Sequence, residues 1–274
     1  MSVLPSTTGQ QAIDVDAVET QLRPRAPGPL LFARYAYPPN ALGYCGDDKA
    51  STLLDYASES ACDAGLVELA RSFDGAWPYL ELIAGASNIE DPLSRAVVEA
   101  YWLGNPLLDR VKARDFANHL DERFRRRAGR TWDKLRATLP RGALPHHNFH
   151  VLCVYPWVGL MRTGAVEHPL QMVDRCRIRW GTVESVASDS AVVRTRRLAW
   201  DGHKLAVGPY AAERFTWRAS GAGFVEELAP GDVVSLHWDW ICDRIPAWQA
   251  AQLCYYTRRI LTTANSVSGG AAIS

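Results

Sequence analysis

Apolar residues recur at spacings of three and four through most of the first half of the chain and give way to two-residue alternation in the second. Leu53, Leu54, Ala57, Ala61, Ala64 and then Val67 or Leu69 mark an amphipathic helix over residues 50–69, because side chains three or four apart share one helical face. The same spacing predicts helices over Trp77–Ala84 and Asp91–Leu103, the second with Asp91 as its cap and Pro92 in its first turn. Leu108, Val111, Phe116, Leu120 and Phe124 carry the stripe onward. Pro38-Pro39-Asn40 is expected to break any helix begun at Leu30 and leave an ordered turn, since proline has no N–H for the helical ladder.

From Ile178 the pattern changes. Ile178, Trp180, Thr182 and Val183 lead to a turn at Ser188-Asp189-Ser190, and "AVVRTRRLAW", "KLAVG", "ERFTWRA", "GFVEEL" and "DVVSLHWDWIC" follow as short β-rich runs between turn residues. Runs of this length and spacing predict a small barrel or sandwich. Trp248, Leu253, Tyr256 and Ile260 return to helical spacing over Ala247–Leu261. The expected fold class is α+β: a mostly α-helical N-terminal domain, then a small C-terminal OB-like β-barrel with a closing C-terminal helix. The divisions are a disordered or extended arm over 1–29, the helical domain over 30–145, a proline- and glycine-punctuated junction over 146–171, the barrel with its helix over 172–264, and a flexible tail over 265–274.

Composition narrows the function. Thirty Lys and Arg balance thirty Asp and Glu, so no net field draws the chain to nucleic acid or to an anionic membrane. No apolar run reaches the roughly 18 residues of a membrane span. The N-terminus lacks a basic segment followed by an apolar stretch, and a cytoplasmic protein is expected. Six cysteines without a C-x-x-C pair read as buried thiols rather than a disulfide framework or zinc ribbon. No phosphate-binding glycine loop or nucleophile elbow is present. The basic run "RFRRRAGR", Arg123 to Arg130, reads as a solvated helix end or a docking patch for an acidic partner.

Two stretches could carry chemistry. "PHHNFHV" places His146, His147 and His150 close together, so a metal or cofactor pocket at the junction competes with ordinary hydrogen-bonded histidines. In "YPPNALGYCGDD", Cys45 lies between Gly43 and Gly46 and is followed by Asp47 and Asp48. Neighbouring acids disfavour a thiolate nucleophile, and an ordered turn packed on the helices or the barrel is expected instead.

Two separated motifs carry a family resemblance. "CRIRWGTV", beginning at Cys176, resembles the C-x-x-x-P-G-x-V start of the hydrogenase-formation chaperones (HypC/HupF), and "PGDVVSLH", ending at His237, is similar to their G-D-x-V-x-x-H. The resemblance implies an OB-like barrel that carries iron with cyanide and carbon monoxide ligands between a maturation scaffold and the large subunit of a nickel–iron hydrogenase. It assigns Cys176 and His237 as iron ligands, with iron bound transiently, alone or as the Fe–CN/CO fragment. A soft thiolate and a neutral imidazole suit that cargo and leave positions for diatomic ligands. Cys176 would need a lowered pKa, for which Arg175, Arg177 and Arg179 are candidates. The chain departs from the pattern: Cys176 is internal and offers no free α-amine, Trp180 replaces proline, and the section from Leu198 to Val225 is longer. The leading expectation is a metallocentre-assembly chaperone with a hydrogenase large subunit or maturation scaffold as partner, through Cys176 and His237, with His146, His147 and His150 secondary. An enzyme in which the junction histidines and Cys176 form a catalytic metal site, and a pure interaction module, remain as alternatives. Separation of Cys176 from His237 would favour the latter.

Overall fold

A computed structural model describes residues 25–122 and 142–266. The arm before Arg25, the basic run at 123–130 with Phe124, and the tail after Ser266 lie outside the described residues. Helix α1 (Gly28–Ala41) opens the structure, with Pro29 in its first turn where a missing N–H costs nothing. It does not break at Pro38-Pro39 as expected: both prolines sit inside its last turn. Near a helix end the two lost N–H groups strip bonds only from carbonyls at 34 and 35.

The helix expected over 50–69 is two helices, α2 (Ala50–Glu59) and α3 (Ala64–Arg71). Ser60 turns left-handed at φ 55°, and the Asp63 carboxylate caps the restart by accepting from the N–H groups of Gly65 and Leu66. Helix α4 (Trp77–Ser87) follows. Helix α5 (Arg95–Trp102) has Ser94 rather than Asp91 in its N-cap position, and the Asp91 carboxylate instead accepts from the N–H of Leu93. A 3-10 turn (Pro106–Arg110) and helical residues 113–122 complete this region.

The junction is more ordered than its punctuation implies. A single helical turn, α6 (His147–Phe149), runs into a π-turn (His150–Val154), then α7 (Trp157–Arg162) and α8 (Glu167–Cys176). Cys176 therefore closes a helix, whereas it was expected to open the first strand.

Strands β1 (Arg179–Val186), β2 (Ser190–Trp200), β3 (Leu205–Thr216), β4 (Arg218–Ala219), β5 (Ala222–Gly223), β6 (Val233–His237) and β7 (Trp240–Arg244) follow. β4 and β5 form a minor hairpin, and the other five close into a ring in the order β1-β2-β3-β7-β6. All neighbours are antiparallel except β3 and β7, which meet in parallel at Thr216 and Trp240. The two runs "KLAVG" and "ERFT" are one strand, and the longer middle section, Leu198 to Val225, holds the end of β2, all of β3 and the β4–β5 hairpin. Gly181 of the first motif sits where β1 crosses β2, and a Cβ there would come within 2.7 Å of the Arg194 carbonyl. The Pro-Gly-Asp of the second makes the turn into β6, with the Gly231 N–H donating to the Val183 carbonyl at 2.8 Å. Helix α9 (Ala247–Ser266) closes the chain. The fold is α+β, with N-terminal helices, a C-terminal five-stranded closed sheet and a final helix, as the pattern predicts.

Two cores hold this together. Val183, Val193, Phe215, Val234, Leu236 and Ile241 fill the ring. A larger core runs without a break from Leu31, Tyr35 and Trp102 of the helices, through Phe149 and Cys176 of the junction, to Trp238 and Ile260. Among the described residues no helix is long and apolar enough to cross a membrane.

Candidate metal centre

The larger core contains a polar cluster. His147, Cys176 and His237 each offer one ligand atom, and these atoms all lie within 4.8 Å of one another. The side chains come from α6, the end of α8 and the end of β6, so the cluster sits where helices, junction and sheet meet. All three are buried, at 5%, 8% and 0% exposure. A tetrahedral ion with bonds of about 2.0–2.3 Å holds its donors roughly 3.4–3.6 Å apart, so about an ångström of side-chain adjustment brings the cluster onto a metal.

Local backbone chemistry places each member. Asn148 pairs with the backbone of Ile178 in both directions, its Oδ1 accepting from the Ile178 N–H at 2.7 Å and its Nδ2 donating to the Ile178 carbonyl at 3.2 Å. That clamp holds the end of α8 against α6, and His147 Nε2 reaches the Cys176 carbonyl at 2.8 Å. A carbonyl only accepts, so Nε2 carries the proton and Nδ1, 3.4 Å from the Tyr101 hydroxyl, carries the lone pair.

His237 is oriented by the proline pair. Pro39 has no N–H to give the Tyr35 carbonyl, and that carbonyl accepts from His237 Nδ1 at 2.7 Å instead. The proton is thus on Nδ1, and the buried Nε2 faces the cluster side of the ring as the nitrogen left to carry a lone pair. An N–H···O=C bond on the far ring nitrogen is the usual support of a metal-ligating histidine. Trp238, the next residue, is buried at φ 53°, a conformation that a bulky side chain holds only at a cost of roughly 1–3 kcal/mol. Trp102 walls the site, 4.6 Å from the His147 ring and 5.7 Å from the His237 ring, and Tyr35 stacks on Trp102 with centroids 5.4 Å apart.

Burial governs the protonation states. Desolvation pulls His147 down to about 4 and holds His237 well below the ordinary histidine range, with the His147 charge a second cause at His237. Both imidazoles are therefore neutral and fit to ligate at neutral pH. Desolvation pushes the Cys176 thiol up. The arginines flanking Cys176 do not counter this. Arg177 and Arg179 are buried against Asp174, at 2.9 and 3.7 Å, and Arg179 also reaches Glu213 at 3.2 Å. Arg175 pairs with Asp239 and lies over Trp238. A metal would have to displace the thiol proton itself.

The other candidate residues are placed elsewhere. His146 Nδ1 accepts from the Asn148 N–H at 2.9 Å and caps α6, and its ring stacks on Tyr256. His150 Nδ1 pairs with the Tyr79 hydroxyl at 2.7 Å. Desolvation holds both near 3. Cys242 is core, its thiol turned to the Trp240 carbonyl at 3.9 Å. The sequence names all three cluster members, pairing Cys176 with His237 in the leading reading and with the junction histidines in the enzyme alternative, but it does not bring all three together and gives no direct sign of Asn148, Trp102 or the Tyr35 carbonyl. The only sequence trace of the last was the proline pair.

A family model described as "Family of unknown function" (DUF6390) matches residues 24–270. No curated protein and no solved structure matches the chain. The match is to this family and not to the hydrogenase-formation chaperones. Because it spans the helices, the junction and the closed sheet together, the chain belongs as a whole to the DUF6390 family of unknown function.

Proposed function

We propose that the protein holds a transition metal through His147, Cys176 and His237 and works in metallocentre assembly, its cargo an iron fragment with cyanide and carbonyl ligands and its recipient a hydrogenase large subunit. The observation that carries this reading is the convergence of the two motif ends: Cys176 and His237 belong to one buried cluster with a third donor, His147. One thiolate and two neutral imidazoles suit iron, copper or zinc better than calcium or magnesium. Three protein donors leave coordination positions open for diatomic ligands or for exchange into a recipient. His147 supplies a donor that an internal cysteine, lacking a free α-amine, cannot. The same convergence weighs against a pure interaction module, which has no use for a thiol and two imidazoles desolvated together.

The open position also suits a second reading, a metal-dependent enzyme at the junction, and one experiment separates the two. The protein is purified without oxygen from cells making hydrogenase, and its metal content and infrared spectrum are measured beside those of Cys176→Ala and His147→Ala. The expected result is iron with bands in the cyanide and carbonyl region, lost in both variants. Bound metal without such bands would overturn the assembly role and leave the enzyme reading. Absence of any metal would overturn both.

A further inference from the structure

Tyr101, in the last turn of α5, lies against the cluster and has no part in the site as described. Its side chain is 1% exposed, and its ring meets the His147 ring edge-on, with centroids 5.7 Å apart and planes at 77°. The hydroxyl has two polar neighbours, the Gly75 carbonyl at 3.3 Å and His147 Nδ1 at 3.4 Å. Both distances are at the long end for hydrogen bonds, so a fully buried phenol is held loosely between two acceptors.

Spacing is the first reason to connect this oxygen with a metal. His147 Nε2 is committed to the Cys176 carbonyl, so Nδ1 is the nitrogen free to ligate. The 3.4 Å from Nδ1 to the phenolic oxygen is the separation of two donors on one tetrahedral ion with bonds of about 2.0–2.2 Å. That pair needs no rearrangement to share an ion. Charge is the second reason. Both imidazoles are neutral, so a divalent ion on His147, Cys176 and His237 is balanced by one thiolate alone and stays positive inside a core where none of the three is more than 8% exposed. Unbalanced buried charge is costly. Among the described residues no Asp or Glu joins the cluster, and Asp174, two positions before Cys176, is committed to Arg177 and Arg179. A phenolate is the one anionic group left within reach of a candidate ligand atom.

We propose that Tyr101 is a fourth ligand, its phenolate closing the set with His147, Cys176 and His237 around a divalent ion and bringing the site to zero net charge. The inference rests on the metal-site reading above. Loading a divalent ion displaces one proton from the Cys176 thiol and one from the Tyr101 hydroxyl, and both leave to solvent. When a diatomic ligand or a recipient takes the fourth position, the phenolate regains a proton from solvent and turns its O–H to the Gly75 carbonyl. One oxygen thus fills the position at rest and yields it for exchange.

Zinc(II) is colourless, so an ionised tyrosine is read directly in the near-ultraviolet difference spectrum. Metal-free, full-length protein is titrated with zinc(II) under reductant at neutral pH, with tyrosinate and released protons counted together. Tyr101→Phe is run beside it, with Tyr79→Phe as a control at a buried phenol that pairs with His150 instead. Unmutated protein and Tyr79→Phe are expected to form about one tyrosinate and release about two protons per zinc; Tyr101→Phe should form none and release about one. The counts on unmutated protein require no variant to fold. Zinc bound there without a tyrosinate signal would overturn the fourth ligand and leave the three-residue site standing, even with two protons released, since a metal-bound hydroxide accounts for the second. A tyrosinate signal that survives in Tyr101→Phe would overturn the assignment to this residue. Failure of the unmutated protein to bind zinc would overturn the site itself.

Discussion

Single residues here are governed by desolvation. His146, His147, His150 and His237 are all buried, and burial is the first cause of the depression at each. An unfolded histidine titrates near 6.5, so between that value and the folded ones, about 3 to 4 for the first three, the unfolded chain binds more protons than the folded one. Stability is therefore complete above pH ~6.5 and is lost as pH falls, with a slope approaching about 1.4 kcal/mol per pH unit for each histidine that stays neutral. The thiols of Cys153, Cys176 and Cys242 are raised by the same burial, and they favour the unfolded chain once pH exceeds their unfolded value of ~8.5. Urea denaturation of the metal-free protein should show a maximum midpoint between about pH 7 and 8.5 and a clear drop by pH 5. A midpoint flat from pH 7 to 5 would mean that the histidines are hydrated. The residues themselves were legible as candidates from their types. Their neutrality was not, because desolvation depends on what the rest of the chain packs around them.

At the level of elements, the informative case is α1. Local sequence argues that a double proline ends a helix, and α1 nevertheless reaches Ala41. Packing of Leu31, Phe32 and Tyr35 into the larger core stabilises the helix, while the prolines remove N–H groups only from its last turn. The freed Tyr35 carbonyl then fixes the His237 ring. Pro39→Ala gives residue 39 an N–H that competes for this carbonyl. Cobalt(II) affinity is expected to fall about 10- to 100-fold, the usual cost of losing a supporting hydrogen bond to a ligand. The circular dichroism melt of the metal-free protein should change little, since the substitution restores a helical bond. Unchanged affinity in a titration would separate Tyr35 from the site. Helix α8 is the complementary case. Its amphipathic pattern straddles position 171, where the expected junction meets the expected barrel, and the strand expected to open at Cys176 begins three positions later, at Arg179.

The whole molecule places the candidate ligands at a seam. One comes from β6 of the closed sheet and two from the junction, with the aromatic wall supplied by α1 and α5. A metal binding there links all three regions and should stabilise them together. Ligand at a hundredfold excess over its dissociation constant contributes about 2.7 kcal/mol, which for a chain of this size corresponds to a rise in melting temperature of roughly 5–10 °C. Differential scanning calorimetry with cobalt(II) should show that rise in one transition, and His147→Ala should abolish it. A shift confined to one of two separate transitions would mean that the regions do not share the site.

The α+β class, the order of helices before strands, the closing helix and the residue types fit to hold a metal are all written in the linear pattern. Those follow from periodicity and side-chain chemistry, which are local. It takes the folded chain to show that His147 joins Cys176 and His237 while His146 and His150 turn to Asn148 and Tyr79. The choice depends on contacts between residues far apart in the chain: the Asn148 clamp on Ile178, the Tyr35 carbonyl on His237, and the stacking of Tyr44 on Trp238. No spacing along the chain encodes such contacts, because they arise only when the larger core closes and removes competing water from every polar group inside it.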